Sequence, residues 1–399
     1  MPLRFINKFL HGQYSSSIVL IFATALAMFL ANSMFSGNYQ EILNTHIGFT
    51  TDWMTLDLSV AHWINDGLMV LFFLLVGLEI KREFLRGELG TPSKAAFPII
   101  CAVGGVVAPA LIFMFINKAQ PAHWAGWAIP TATDIAFALG LLALGGKNVP
   151  ITLKVFLTAL AIIDDLIAII IIALFYGEPL NIDAFFVGVV VVFALLALNV
   201  MRVKYILPYL VLGFFLWMSV LQSGLHPTIA GVLLAMMIPI DDVRAKSPLH
   251  RLEEALHPLS AFFIMPMFAL ANAGLSFTGI SSNDFFNRLP LGIMFGLFIG
   301  KQVGIVLAGK LAIRMGWAQL PVGVTPRQFY ATATLAGIGF TMSLFIGSLA
   351  FKSSELDNLV RLGVMAGSLL SAIVGIALLR SGPGKSVADY VPDDPEESS

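Results

Sequence analysis

Asp164 and Asp165 stand side by side in VFLTALAIIDDLIAIIIIALF, a stretch that is otherwise apolar and long enough to cross a bilayer. A carboxylate at membrane depth costs several kcal/mol unless it is protonated, paired or bound to a cation, and two adjacent ones cost more. The chemistry such a pair can do is reversible binding of a proton or of a hard cation. Successive residues on a helix point about 100° apart. The two acids therefore face different neighbours and are expected to have different jobs.

Three more charges fall inside apolar segments: Asp66 in WINDGLMVLFFLLVGLE, Asp134 in WAIPTATDIAFALGLLAL and Lys301 in LGIMFGLFIGKQVGIVLAG. One lysine facing several carboxylates is what a low-dielectric site needs to hold charge. Structural readings stand beside this one. Asp66 also fits a hydrogen-bonding residue near a helix end, and Asp134 with Lys301 also fits an ion pair that only supports the fold.

The elements that position these groups follow from composition. The chain has 399 residues, 58% hydrophobic and 12% charged, with a mean hydropathy of +0.87. Soluble domains run at roughly 25% charged, so this is a polytopic membrane protein. The net charge of -1 carries no signal of a nucleic-acid partner, and none is expected; the lone Cys101 excludes an intramolecular disulfide. The basic start MPLRFINKFLHGQYSS is too polar for a signal-peptide core, so the first apolar segment is expected to stay as an anchor.

About twelve spans are expected, near 16–35, 59–84, 96–117, 122–144, 150–176, 183–201, 205–221, 224–239, 255–276, 290–313, 328–350 and 357–380. Of the 23 Lys and Arg residues, 18 fall at one set of span ends and 4 at the other, with Lys301 inside a span. This asymmetry puts both termini in the cytoplasm. Between the first two spans, HIGFTT and WMTLDL are short strand-forming runs that fit either an external β-hairpin or an irregular loop. Residues 1–385 read as one transmembrane domain, and 386–399 as an acidic, Pro-rich, disordered cytoplasmic tail.

Two spans look broken. Ile129 to Thr133 interrupts the fourth, where Pro130 removes a backbone donor and Thr131 and Thr133 can re-satisfy freed groups. In the eleventh, Gly337 and Gly339 precede Thr341. Each is the middle span of a trio, and the trios start on opposite sides of the membrane. Two discontinuous, crossing helices in inverted-topology repeats mark a transporter site. Their half-helix N-termini are partly positive and their C-termini partly negative. Asp134 is expected to balance the first and Lys301 the second.

The strings PTATDIAFALG, LAIIDDLIAIIIIALFY, FIGKQVGI, GIGFTMSLFI, FFLLVGLEIKRE and SGLHPTIAGV resemble the bacterial NhaA-type sodium/proton antiporters, from the first span to about residue 380. That family is itself a worked case of inverted repeats. The resemblance implies that Asp164 and Asp165 form the cation- and proton-binding pair. It implies that Thr133 and Asp134 lie in one unwound segment and Gly337 to Thr341 in the other, and that Lys301 pairs with Asp164. Glu79, Arg82, Glu253 and His257 resemble a cytoplasmic cluster tied to pH activation, and His226 a further pH-linked histidine. The loop His46 to Leu58 resembles a dimer contact, which implies a homodimer in the bacterial inner membrane. Two departures stand out: His250 replaces a lysine before RLE, and Gln302 follows Lys301 where some members carry proline.

The expected activity is therefore electrogenic exchange of Na+ or Li+ for H+, pH-regulated, serving sodium and pH homeostasis, with the lipid bilayer as surroundings. No cofactor or nucleotide is expected, since nothing resembles a phosphate-binding P-loop. Asp165 is expected to be the main cation ligand, and Asp164 the proton carrier coupled to Lys301. Glu79, Arg82, Glu253, Glu254, His250 and His257 fit either a pH sensor or an ordinary interfacial ion network. An ion-coupled symporter of an organic solute would use the same architecture, but no spare buried arginine offers an anion site. An intramembrane aspartyl protease needs facing acids on different helices, and here the paired acids are adjacent on one.

Overall fold

The computed structural model describes residues 15–51, 54–145, 149–240, 247–277, 281 and 283–381. The tail expected over 386–399 lies outside these residues.

Apolar runs of sufficient length become helices because a helix satisfies every backbone group internally, as a hydrocarbon environment demands. Among the described residues, eight helices are long and apolar enough to cross a membrane. They are α3 (Val60–Arg86), α4 (Pro92–Ile116), α6 (Ile151–Phe175), α7 (Ile182–Val200), α8 (Ile206–Ser223), α10 (Pro248–Asn272), α11 (Arg288–Arg314) and α14 (Ser354–Arg380). Three further expected spans are bent pairs. In the first, α1 (Ser15–Ala31) turns by 111° into α2 (Ser36–Asn44). In the second, a 3-10 helix (Pro121–Thr131) meets α5 (Ile135–Leu144) at 47°. In the third, α12 (Pro326–Leu335) meets α13 (Phe340–Ala350) at 41°. The segment expected to span at 224–239 is the ten-residue α9 (Thr228–Met237), about 15 Å long and half the hydrocarbon thickness. The architecture is an all-α polytopic membrane protein with one small sheet.

That sheet settles the loop after the first span. β1 (His46–Thr51) pairs antiparallel with β2 (Met54–Ser59), in register from His46↔Ser59 to Thr51↔Met54. Ser59 then caps α3 by accepting the His62 amide.

Small residues set the helix spacing, as expected where apolar burial alone does not drive association. α4 crosses α11 at Gly104 and Gly304, where a Cβ on either residue would meet the other's carbonyl oxygen. α9 lies on α3 through Gly231, against the Val70 carbonyl. The buried apolar side chains form two clusters. The larger surrounds α6 and both broken helices; the other lies among α3, α8, α9 and the start of α10. Of the eight full spans α6 is the most enclosed, with 72% of its apolar window buried, and α7 the least, with 17%. The helix that carries the acid pair is thus the central one. Outward faces carry large apolar side chains such as Phe115, Leu174, Phe193 and Val200, a surface suited to lipid rather than water.

Three π turns interrupt full-length helices: Trp63–Leu68 in α3, Ser260–Ile264 in α10 and Gly296–Gly300 in α11. Such turns are rare and collect at functional positions. The first contains Asp66, and the last ends immediately before Lys301.

Candidate ion site at the helix breaks

The first break is shorter than expected. Ile129 to Thr131 remain in the 3-10 helix, with the Thr131 hydroxyl donating to the Ala128 carbonyl at 2.8 Å, and only Ala132 to Asp134 are extended. The second break runs from Ala336 to Gly339. Both glycines there serve close approach. A Cβ on Gly337 would meet the Leu297 carbonyl, and one on Gly339 would lie 3.0 Å from the Ala132 carbonyl.

The breaks are stitched together. The Asp134 amide donates to the Ile338 carbonyl at 2.7 Å, and the Ser343 hydroxyl donates to the Ile129 carbonyl at 2.7 Å. Asp134 caps two helices at once. Its Oδ1 accepts from the Phe137 amide of α5 at 2.9 Å, and its Oδ2 from the Thr341 amide of α13 at 3.2 Å and from the Thr341 hydroxyl. Two partly positive helix ends thus share one carboxylate. The Lys301 ammonium is in contact with Asp164, whose Oδ2 is joined through the Thr133 hydroxyl to the Ala336 carbonyl at the end of α12.

Asp164, Asp165, Asp134 and Lys301 are each no more than 1% exposed. Three carboxylates against one ammonium leave an excess of negative charge when all are ionised, and a low-dielectric interior does not tolerate that. The distribution of donors shows where the excess falls. Asp164 Oδ2 accepts from Lys301 and, at 2.7 Å, from the Thr133 hydroxyl. Asp164 Oδ1 and both oxygens of Asp165 are buried with no hydrogen-bond partner among the described residues. Asp165 instead feels the charges of Asp164, Glu79, Asp134 and Lys301. The divergence of adjacent helical positions is realised: Asp164 points at its partners, and Asp165 has none.

Thr133 has a second acceptor, the Ala336 carbonyl of the other break at 2.8 Å. A hydroxyl has one hydrogen, so it serves Asp164 or Ala336 but not both. That carbonyl had no signal in the sequence beyond its place in a glycine-rich break.

The other candidates separate into distinct places. Arg82 bridges Glu83 at 2.7 Å and Glu253 at 2.9 Å, and so ties α3 to α10. His257 lies exposed one turn along from Glu253. His250 is held by its own helix start, with Nδ1 3.0 Å from the Ser247 hydroxyl oxygen. His226 is buried at the α8–α9 turn, 3.7 Å from Asp66 and edge-on to Phe345 of α13. Asp66 is only partly buried and faces His226. Pro130 packs against Gly296 at the start of the π turn that precedes Lys301.

Comparison with known proteins adds identity to this geometry. The family model described as Na+/H+ antiporter 1 matches residues 7–379. The chain is 52% identical over 377 residues to a protein of Aeromonas hydrophila named Na(+)/H(+) antiporter NhaA, covering 94% of this chain and 95% of that one. Proteins of the same name from Caulobacter vibrioides and Mesorhizobium japonicum are 50% and 49% identical. The first comparison covers 94% of this chain and 91% of the relative, and the second 97% of each.

Proposed function

The chain belongs to the Na+/H+ antiporter 1 family, and on that premise we propose that Asp164 and Asp165 are where sodium and protons compete. The chain is a secondary transporter that exchanges sodium for protons and is not an enzyme. One observation supports the site assignment above all others: three carboxylate oxygens of the acid pair are buried without a donor. Such oxygens are tolerated when a proton or a cation satisfies them.

Sodium is a hard cation that prefers oxygen ligands. Asp165 supplies two free oxygens and Asp164 one. With Asp164 ionised, the Thr133 hydroxyl donates to it and leaves the Ala336 carbonyl open to the cation. With Asp164 protonated, its own O–H donates to Thr133, and Thr133 donates to Ala336. Proton loading thereby withdraws a cation ligand as well as a negative charge. Exchange follows if the site opens to one side at a time and only when loaded. Two carboxylates, Asp164 and Asp165, stand at one cation site, and with more than one acid to load per ion, more protons than sodium ions move in each cycle, which makes transport electrogenic. Lithium, with the same ligand preference, is the second cation.

The Arg82–Glu253 bridge, with Glu79, His250 and His257 nearby on α3 and α10, supports pH regulation from the basic side of the membrane. His226, set between Asp66 and Phe345 of the α13 half-helix, is the further candidate in pH regulation. The basic asymmetry supports cytoplasmic termini in a bacterial inner membrane. The two-stranded hairpin, with partly exposed His46 and Asp57, supports a homodimer formed through the loop His46 to Leu58. Exposed strand edges favour pairing with a second copy.

Fluorescence dequenching in everted vesicles tests this. Sodium and lithium, but not potassium or choline, should collapse an imposed proton gradient, and Asp165→Asn should abolish the response. Normal exchange by Asp165→Asn would remove the assignment.

A further inference from the structure

Gln302, next to the buried lysine, is itself buried, and both ends of its amide are used. Its Nε2 donates to the Phe298 carbonyl, inside the π turn that leads into Lys301. Its Oε1 accepts from the Tyr330 hydroxyl of α12 at 2.7 Å. Glutamine thus grips the irregular turn from within, and a residue on the neighbouring half-helix grips the glutamine. α12 ends at the break that supplies the Ala336 carbonyl, so the chain of contacts links Lys301 to the other side of the same site. On its opposite flank the lysine stem lies against Gly105 of α4, which offers no polar hold.

We propose that Gln302 and Tyr330 form a positioning pair that fixes the π turn and so aims the Lys301 ammonium at Asp164. The proposal rests on the sodium/proton site described above. The charges around that ammonium are Asp164 in contact, with Asp165 beside it on α6, Asp134 at the start of α5, and Glu79 on α3 acting on Asp165. A loosened lysine stabilises the ionised form of the pair less, so sodium displaces the proton only at lower proton concentration. A π turn is the kind of segment where such a hold is needed, because relaxing it to the α-helical register would rotate every following side chain.

The test uses the full chain in vesicles, comparing wild type, Tyr330→Phe, Gln302→Met and the double variant. Sodium-driven dequenching is followed from pH 6.5 to 9. Tyr330→Phe should move the half-maximal pH alkaline by about half a unit, roughly threefold in proton concentration and the size expected of one lost hydrogen bond, and Gln302→Met, which loses both bonds, by about one unit. The sodium KM at neutral pH should rise about threefold on the same ground, while the maximal rate at alkaline pH stays within about twofold. The double variant should match Gln302→Met alone, since Tyr330 acts through Gln302. A Tyr330→Phe profile identical to wild type would overturn the pair. So would fully additive effects, or a uniform loss of rate with no shift along the pH axis. Wild-type vesicles without sodium-driven exchange would overturn the sodium site itself and this proposal with it.

Discussion

Lys301 meets Asp164 through one carboxylate oxygen, Oδ2, and leaves Oδ1 of the same group without a donor. A forked pairing that occupied both oxygens would close the carboxylate to anything else. The one-sided contact sets an ammonium against a buried carboxylate and leaves its second oxygen without a donor.

Removing the ammonium should therefore change both stability and pH response. Lys301→Met leaves three buried carboxylates with no cation, and breaking one side of a buried pair costs about 3–5 kcal/mol. A fall of several degrees in the melting temperature of the purified protein is expected, with the exchange profile moved to more alkaline pH. An unmoved profile would mean that the contact only supports the fold.

Thr133 allows a finer test. Thr133→Val keeps the shape and loses the hydroxyl, while Thr133→Ser keeps the hydroxyl. The valine variant should raise the sodium KM about tenfold, near 1.4 kcal/mol, the scale of one charge-assisted hydrogen bond. The serine variant should stay within about threefold. Equal KM values for the two, measured by sodium titration of dequenching, would argue that packing matters here and not the hydroxyl.

The bridge between α3 and α10 gives a third prediction. Glu253→Gln combined with His257→Ala removes the carboxylate that holds Arg82 and the histidine one turn away. Activation should shift along the pH axis, while the rate at the optimum stays within about twofold of wild type, as for a half-buried ion network remote from the acid pair. An unchanged profile would identify the cluster as an ordinary interfacial network.

Two glycines separate packing from backbone conformation. At Gly304 a Cβ would meet the Gly104 carbonyl, whereas Gly316 has φ of 72° with open space around it. Gly304→Ala should abolish or severely reduce the yield of folded protein in detergent, by forcing α4 and α11 apart. Gly316→Ala should cost only about 1 kcal/mol, from its left-handed backbone. Similar losses for both in size-exclusion yield and melting temperature would contradict the tight crossing.

Much of this arrangement was legible in the sequence because hydrocarbon permits so few solutions. Asp164, Asp165, Asp134 and Lys301 stand out as charges in apolar runs, and Pro130 and the Gly337–Gly339 pair mark where the ladder opens. Periodicity could not reveal the π turn ahead of Lys301, which is a one-residue change of register without a composition of its own. Nor could it reveal the Ala336 carbonyl, since backbone ligands carry no side-chain signature. Asp66 shows the opposite failure. It looked like its mid-span neighbours and turned out to sit with His226, because depth along a helix does not say which way a side chain faces. The ten-residue α9 was overestimated because apolar flanks extend beyond where the backbone leaves the helix.

Asp134 closes the ends of α5 and α13, whose bonded residues lie 207 positions apart in the sequence. A single carboxylate shared in this way is a rivet. Pulling either half-helix away from the other would strip a buried charge of its donors, so any change of access has to carry the two breaks together as one rigid piece.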